Sequence, residues 1–334
     1  MSGFKDSHQQ KNLHEHDILE VSAKTGKVVS IAVPVFKEEH IGEHMAIDEK
    51  HINDTFYTLL SNGETGKVAM MVASVNAEKI GKCLDKFGDK LKAVKVLTRD
   101  MSPTYQYVGT HFFQNAKQVA DKYHVVAHGL NTLQDIRIRY RQEVLKKERM
   151  QQVAHKKKQK ENKEKAKLEG LIYKSVGYFP EKLDNGETQA EMLARSKYLL
   201  YKKASKWNQS QQERSKILFR EFPEIQTAQK HIEAFRAWYE PKEFQQKQDK
   251  NWDINKAETS LLNWIYKTEE VKIDELHNFR QMVENNEEYI LNYHLENKTN
   301  AIAESINSKI MNAIRQNKGT RDLDFFQFRL NMVL

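Results

Sequence analysis

The order of short apolar segments between residues 27 and 126 constrains the fold more than any other feature of this 334-residue chain. Segments rich in Val, Ile, Tyr and Phe, bounded by turn residues, are typical of β-strands. Two longer segments between them, NAEKIGKCLDKFGDKL and SPTYQYVGTHFFQ, have the pattern of helices. The segments predicted as strands are KVVSIAVPVF, HMAIDEKHI, TFYTLLS, GKVAMMVASV, AVKVLTRD and AKQVADKYHVV.

After the first of these strands, which is an additional one, the order is strand, strand, strand, helix, strand, helix, strand. That is the order of a ribonuclease-H-like α/β fold with a mixed sheet. The motif SNGETG separates two of the strands, and Asn62 and Gly63 are predicted to supply the left-handed positions of a hairpin turn.

The remainder of the chain is predicted to be helical. A long helical insertion would separate the α/β core from a last helix, and the insertion includes a highly charged stretch without Gly or Pro. The predicted domains are a flexible polar N-terminus at 1–26, the ribonuclease-H-like core at 27–126, the helical insertion at 127–293 with a charged linker near 143–170, and the final helix with the C-terminal segment at 294–334.

The chain is basic, with 54 Lys and Arg against 46 Asp and Glu, a net charge of +8. This charge suits a polyanionic partner, although many soluble proteins are equally basic. Residues 146–169 contain ten Lys or Arg and four Glu. Two interpretations stay open for this stretch: a solvated helical linker, or a DNA-facing arm in which Lys156, Lys157 and Lys158 contact phosphates.

Cysteine content and hydropathy indicate the cellular compartment that suits the protein. The single cysteine, Cys83, excludes a disulfide framework and a cysteine-rich zinc site. No run of 18 apolar residues occurs in the sequence. We therefore expect a soluble, cytoplasmic protein without a membrane partner.

Glu304 is the only charged residue in the ten-residue motif TNAIAESINS, although charged residues make up 30% of the chain. A capping box would require Ser or Thr three positions earlier, and that position is Ala301. The apolar stripe of the predicted helix consists of Ile302, Ile306 and Ile310, and Glu304 lies off it. Glu304 is therefore either an ordinary surface glutamate or a ligand whose partners lie elsewhere in the chain.

Two aspartates occupy positions where strands could bring them to that glutamate. Asp48 lies within HMAIDEKHI, and Asp100 ends AVKVLTRD. Each has an ordinary explanation: Asp48 can pair with Lys50 or His51, and Asp100 can cap the helix that begins at Ser102. Together with a third carboxylate they fit a different role, because two hard cations need several carboxylate oxygens from different elements.

The motifs AIDEKH, LTRDMSPTYQYVGTHFFQNAKQVADKYHV, TNAIAESINSKI and GTRDLDFFQFRL together resemble the DDE transposases of bacterial insertion sequences, in particular the ISL3 lineage. The resemblance extends from about residue 42 to 330. It implies a ribonuclease-H-like core that is interrupted by a helical insertion before the last catalytic helix. It also implies that Asp48, Asp100 and Glu304 are the catalytic residues and metal ligands.

The resemblance further implies the reaction and the groups around it. It implies metal-dependent cleavage and strand transfer of DNA with two Mg²⁺ ions, for which Mn²⁺ is expected to substitute. An Asp-x-x-His pair on the strand after the second aspartate, here Asp121 and His124, would support the active site. The residues proposed to contact DNA near the last helix are Lys309, Lys318 and Arg321, for which a solvated surface is the alternative.

The sequence departs from the longer relatives in one respect, since it lacks an amino-terminal zinc-finger and helix-turn-helix region before the first catalytic strand. We expect a separate polypeptide to recognise the ends of the element. The other expected partners are double-stranded DNA and a second copy of the chain bound to it. The alternative function is a non-catalytic DNA-binding remnant of a transposase.

Overall fold

The computed structural model describes residues 16–21, 26–52 and 54–296, together with positions 306, 308–310, 312 and 315. The described part contains a six-stranded mixed sheet, a separate two-stranded sheet and a large set of helices. The strands are β1 (Ile18–Val21), β2 (Val28–Ile31), β3 (Val35–Phe36), β4 (His44–Ile52), β5 (Thr55–Asn62), β6 (Val68–Val72), β7 (Val96–Arg99) and β8 (Lys117–Ala120).

The strand order in the large sheet is β3-β6-β5-β4-β7-β8. Strands β3 to β6 pair antiparallel, whereas β4, β7 and β8 pair parallel. The parallel pairs are possible because helices connect β6 to β7 and β7 to β8, as parallel strands require a crossover connection. This mixed α/β sheet is compatible with the predicted ribonuclease-H-like fold.

The helices follow the sheet in two groups. Two of the named helices lie between strands of the sheet, and the other named helices follow β8. They are α1 (Ala77–Leu84), α2 (Pro103–Phe112), α3 (Lys122–Leu168), α4 (Gln189–Arg195), α5 (Lys197–Tyr201), α6 (Gln209–Glu221), α7 (Pro223–Trp238), α8 (Lys242–Gln248), α9 (Ile254–Glu269), α10 (Asp274–Asn285) and α11 (Glu287–Glu296).

The large sheet is covered on both faces. On one face, side chains such as Ile47 and Leu60 pack with residues of α1 and α2. On the opposite face, Ile52 packs in a cluster with Ile306 and Ile310. Ile306 and Ile310, which were predicted to lie on the apolar stripe of the last helix, are thus buried. Ile302, the first residue of that stripe, lies outside the described residues.

The helices after β8 form a second hydrophobic core that continues from the β7–β8 edge of the sheet. Helix α11 runs beside β8, where the Asn292 amide donates a hydrogen bond of 2.9 Å to the Gln118 carbonyl. Helix α3 begins at Lys122 because Asp121 caps it, with the Asp121 side chain accepting from the Tyr123 backbone N–H. The predicted boundary between residues 126 and 127 lies within α3.

The segment predicted to be a flexible polar N-terminus contains strand β1, which pairs antiparallel with β2. Ile18 and Ile31 face each other in this pair and are both buried. The predicted strand KVVSIAVPVF is in fact two strands, β2 and β3, on either side of Pro34. Proline has no backbone N–H to donate to a ladder, which explains the interruption.

The connection between β5 and β6 differs from the predicted turn. Strand β5 continues through Asn62, whose side-chain oxygen accepts hydrogen bonds from the backbone N–H groups of Glu64 and Thr65, each at 2.9 Å. The left-handed position of this loop is Gly66, at φ +69°. The prediction for Asn62 and Gly63 is wrong because the asparagine side chain closes a longer loop.

Among the described residues, none of the helices combines the length and the hydropathy that a membrane span requires.

Candidate active site

The register between β4 and β7 brings the two predicted aspartates side by side. The last parallel pair of these strands is Ile47 with Arg99, so the next residues are Asp48, within β4, and Asp100, directly after β7. Neighbouring strands lie about 4.8 Å apart. Because side chains alternate along a strand, Asp48 shares a face with Ile52, which packs with Ile306 and Ile310.

Asp48 is partly buried and lies close to two basic side chains. Its Oδ1 atom is 3.5 Å from His124 Nε2, and its Oδ2 atom is 3.9 Å from Lys50 Nζ. The Glu49 backbone N–H donates to Oδ1 at 2.8 Å. Burial raises the pKa of Asp48, but His124, Lys50 and the Glu49 N–H together outweigh burial, so the pKa lies below its ordinary value. Asp48 is therefore ionised at neutral pH.

Asp100 immediately follows β7 and precedes α2. Its Oδ1 accepts a hydrogen bond of 2.8 Å from the Ser102 backbone N–H. The N-cap of α2 is Ser102 itself, whose hydroxyl accepts from the Tyr105 N–H. Asp100 thus orders the turn before the helix. This hydrogen bond engages Oδ1, and a carboxylate has two oxygens that can accept.

His124 and Asp121 lie beside Asp48, but they do not lie on a strand as predicted. Strand β8 ends at Ala120, Asp121 is the N-cap of α3, and His124 is in the first turn of that helix. His124 Nε2 is 3.7 Å from Asp121 Oδ2. The contact with Asp48 raises the pKa of His124, burial opposes the rise, and the charges of Asp121 and Asp100 contribute to it.

The carboxylate of Glu49 is affected by the negative charges of Asp48 and Asp100. Its pKa is raised, first by partial burial and then by the charges of Asp100 and Asp48. Carboxylates that repel each other in this way are held together more favourably when a cation lies between them.

The third predicted ligand, Glu304, lies outside the described residues, as do Lys318 and Arg321. Lys309 is described and exposed. Within the described ranges, no group of three or more His, Cys, Asp or Glu side chains is arranged to hold a metal ion. The two adjacent carboxylates nevertheless fit a hard cation, since their donor atoms are the oxygens that Mg²⁺ prefers.

Lys156, Lys157 and Lys158 lie far along α3 and are all exposed. They are some 32 residues beyond His124, which corresponds to about 48 Å along a straight helix. The structure therefore does not bring them to the aspartates.

Arg99 was not predicted from the sequence and is fully buried beside the site. Its Nε donates to Gln118 Oε1 at 2.6 Å, and its Nη1 donates to the carbonyl of Asp100 at 2.8 Å. Its guanidinium also lies 4.4 Å from the centre of the Tyr289 ring in α11. A buried arginine has no periodicity signal that would distinguish it from a surface one.

This is a mixed α/β sheet in which two aspartates from neighbouring strands lie just beyond the last parallel residue pair of β4 and β7. A protein-family model described as "Transposase", that of the ISL3-type DDE transposases, matches residues 45–330. The chain belongs to this family. No curated protein matches the sequence.

Proposed function

We propose that this chain catalyses cleavage and transfer of DNA strands at the ends of an insertion-sequence element, by metal-dependent phosphoryl transfer. The observation that carries the proposal is the β4–β7 register, which makes Asp48 and Asp100 neighbours. Asp48 lies on the sheet face on which Ile52 packs with Ile306 and Ile310. Membership of the transposase family supports it.

The proposed ligands are Asp48, Asp100 and Glu304. When bound, two Mg²⁺ ions would activate the attacking water or DNA 3′-hydroxyl and stabilise the leaving oxygen. Asp48 would supply an ionised carboxylate, since its pKa lies below the ordinary value. The Ser102 N–H would fix the orientation of the Asp100 carboxylate through its bond to Oδ1.

The surrounding side chains have supporting roles in this proposal. His124 and Asp121 would hold the Asp48 carboxylate in position, since His124 lies within 4 Å of both. The substrate in this proposal is duplex DNA, bound by two copies of the chain. Lys309, Lys318 and Arg321 would neutralise its phosphates near the last helix.

The test is nicking of a duplex that contains the element ends, in the presence of Mg²⁺. Asp48→Asn, Asp100→Asn and Glu304→Gln each remove an anionic oxygen but almost no volume, so nicking is expected to disappear while DNA affinity persists. Asp89→Asn is the matched control, because Asp89 is highly exposed in the 3₁₀ helix Asp85–Ala93. Nicking that is absent from the unmodified protein, with DNA binding retained, would instead favour a non-catalytic remnant.

A further inference from the structure

The second half of α3 projects from the helical core. Val144 is the last buried residue of α3, and every later residue of the helix is exposed or half-buried. The chain reverses at Gly170, which has φ +70°, and returns beside the helix. We call residues 146–180 the arm.

The returning segment is fixed to the helix by a series of polar contacts. Tyr178 donates to Gln151 at 2.8 Å, and His155 Nε2 lies 2.9 Å from the Val176 carbonyl. Nearer the tip, Tyr173 hydrogen-bonds to Gln159. The arm is therefore an antiparallel pair of segments with a defined end, and that end is the turn around Gly170.

Almost all of the net charge of the chain lies on the arm. Residues 146–180 contain eleven Lys or Arg and four Glu, a net charge of +7 (11 − 4), whereas the whole chain has +8 (54 − 46). The remaining residues together have a net charge of only +1 (8 − 7). A polyanion is thus attracted to the arm far more than to the rest of the protein.

The end of the arm is apolar despite this charge. Leu168, Leu171 and Ile172 are 89%, 63% and 94% exposed. Lys165, Lys167 and Lys174 surround them in sequence and are also exposed. Three large aliphatic side chains that extend into water at the end of a basic projection indicate a surface that is covered by a partner.

We infer that the tip of the arm, formed by Leu168, Leu171 and Ile172, inserts into duplex DNA as an apolar wedge while the arm lysines contact the flanking phosphates. Apolar wedges of this kind enter the minor groove and partly unstack a base step. A second copy of the chain is a poorer occupant, because its own arm has the same +7 charge (11 − 4). The inference rests on the proposed function only in taking DNA as the substrate.

The length of α3 limits where the wedge can act. Leu168 lies 44 residues beyond His124, which is about 66 Å along a straight helix. At about 3.4 Å per base pair, this distance corresponds to roughly 19 base pairs. The tip is therefore expected to contact DNA within about 19 base pairs of the position at the aspartates.

The experiment uses the full chain and duplexes in which a fluorescent adenine analogue occupies successive positions. Unstacking of the analogue raises its fluorescence, so the unmodified protein is expected to give a rise at one short stretch. In the tip variant, Leu168→Ser, Leu171→Ser and Ile172→Ser combined, the rise is expected to disappear. The affinity should fall roughly tenfold with the salt dependence unchanged, because burial of the aliphatic groups is lost and phosphate contacts are kept.

The β1–β2 sheet offers a matched control variant. Leu19, Val21 and Val28 are 57%, 68% and 66% exposed there, so Leu19→Ser, Val21→Ser and Val28→Ser combined make the same kind of change away from the arm. This variant is expected to keep both the fluorescence rise and the affinity. Far-ultraviolet circular dichroism is the check on folding, and both variants are expected to retain the helical signal of the unmodified protein.

Two results would overturn the inference. One is a tip variant that binds DNA with the same affinity as the unmodified protein and gives the same rise in fluorescence. The other is a tip variant that changes from dimer to monomer in sedimentation without any change in fluorescence, which would assign the tip to a second copy. Neither measurement requires catalysis, so nicking by Asp100→Asn would contradict the proposed function alone.

Discussion

His124 Nε2 lies 3.5 Å from Asp48 Oδ1, which joins the first turn of α3 to the centre of the sheet. The contact stabilises the protonated imidazole and the ionised carboxylate together: the pKa of His124 is raised and that of Asp48 is lowered. The contact stabilises the folded protein at pH values between the titration of Asp48 and the titration of His124. This stabilisation is lost as pH rises through the folded pKa of His124, and also as pH falls through that of Asp48.

We predict that Asp48→Asn lowers the pKa of His124 in the metal-free protein, because the main cause of the upward shift is removed. NMR titration of the imidazole measures this directly. Asp89→Asn serves as the control and should leave the titration of His124 unchanged. An unchanged His124 titration in Asp48→Asn would mean that the two side chains do not interact in solution.

The proposed ligand set predicts a particular dependence on the metal ion. Mn²⁺ is expected to replace Mg²⁺ in DNA nicking, whereas Ca²⁺ should support DNA binding with little nicking. The reason is that Ca²⁺ takes six to eight ligands in a flexible geometry, while Mg²⁺ demands a near-octahedral one. Nicking rates and affinities measured in the three ions provide the test, and equal rates in all three would argue against a two-metal site.

The arm lysines are predicted to supply salt-sensitive affinity. Replacing Lys156, Lys157 and Lys158 by Gln should reduce the slope of log K against log salt by up to about three units if all three contact phosphate.

A control variant removes the same number of positive charges at exposed positions outside the arm: Lys216→Gln, Lys230→Gln and Lys272→Gln. Its slope should stay close to that of the unmodified protein. If both variants gave the same slope, the arm would be a solvated helix with no special part in DNA binding.

The sequence predicted the succession of strands and helices well where turn residues separate them. Helices α1 and α2 lie within the predicted segments, because Asn76 and Ser102 are favoured N-cap residues in front of amphipathic runs. The prediction was wrong at AKQVADKYHVV, where a strand passes into a helix with no Gly or Pro between them. Asp121 was the available signal, since aspartate favours the N-cap position.

The candidate site depended on information of a different kind. Asp48 and Asp100 could be singled out from the strands that contain them, but the pairing of Ile47 with Arg99 is set by the packing of the whole sheet. The burial of Arg99 against Gln118 and Tyr289 likewise depends on α11, which lies about 190 residues later in the chain. Local sequence patterns do not contain such long-range contacts.

Arg99 is predicted to be essential for stability. Arg99→Ala would leave a cavity and remove the donors of Gln118 Oε1 and the Asp100 carbonyl, so the free energy of unfolding should fall by about 3 kcal/mol. Urea denaturation measures the change. Arg149→Ala, at an exposed position of α3, is the control and should stay within about 0.5 kcal/mol of the unmodified protein. A small effect at Arg99 would mean that neighbouring groups or water replace its hydrogen bonds.

The last prediction concerns His294 in α11, which is buried among aromatic rings. Its ring centre lies 4.5 Å from that of Trp238 and 5.9 Å from that of Trp252. Burial lowers the pKa of His294 to about 4, below the ordinary value of 6.5. Because the folded protein binds this proton less readily than the unfolded chain, the stability from neutral His294 is complete above pH 6.5 and is lost as pH falls towards 4.

Between pH 7 and pH 5 this linkage should cost about 2 kcal/mol of the free energy of unfolding. His294→Phe keeps an aromatic ring at the position and removes the titration, so its stability should fall by about 2 kcal/mol less over that range. Urea denaturation at the two pH values gives both numbers. The exposed His128 provides the matched control, and His128→Phe should retain the full pH dependence. Equal pH dependence in all three proteins would place the acid sensitivity in other groups.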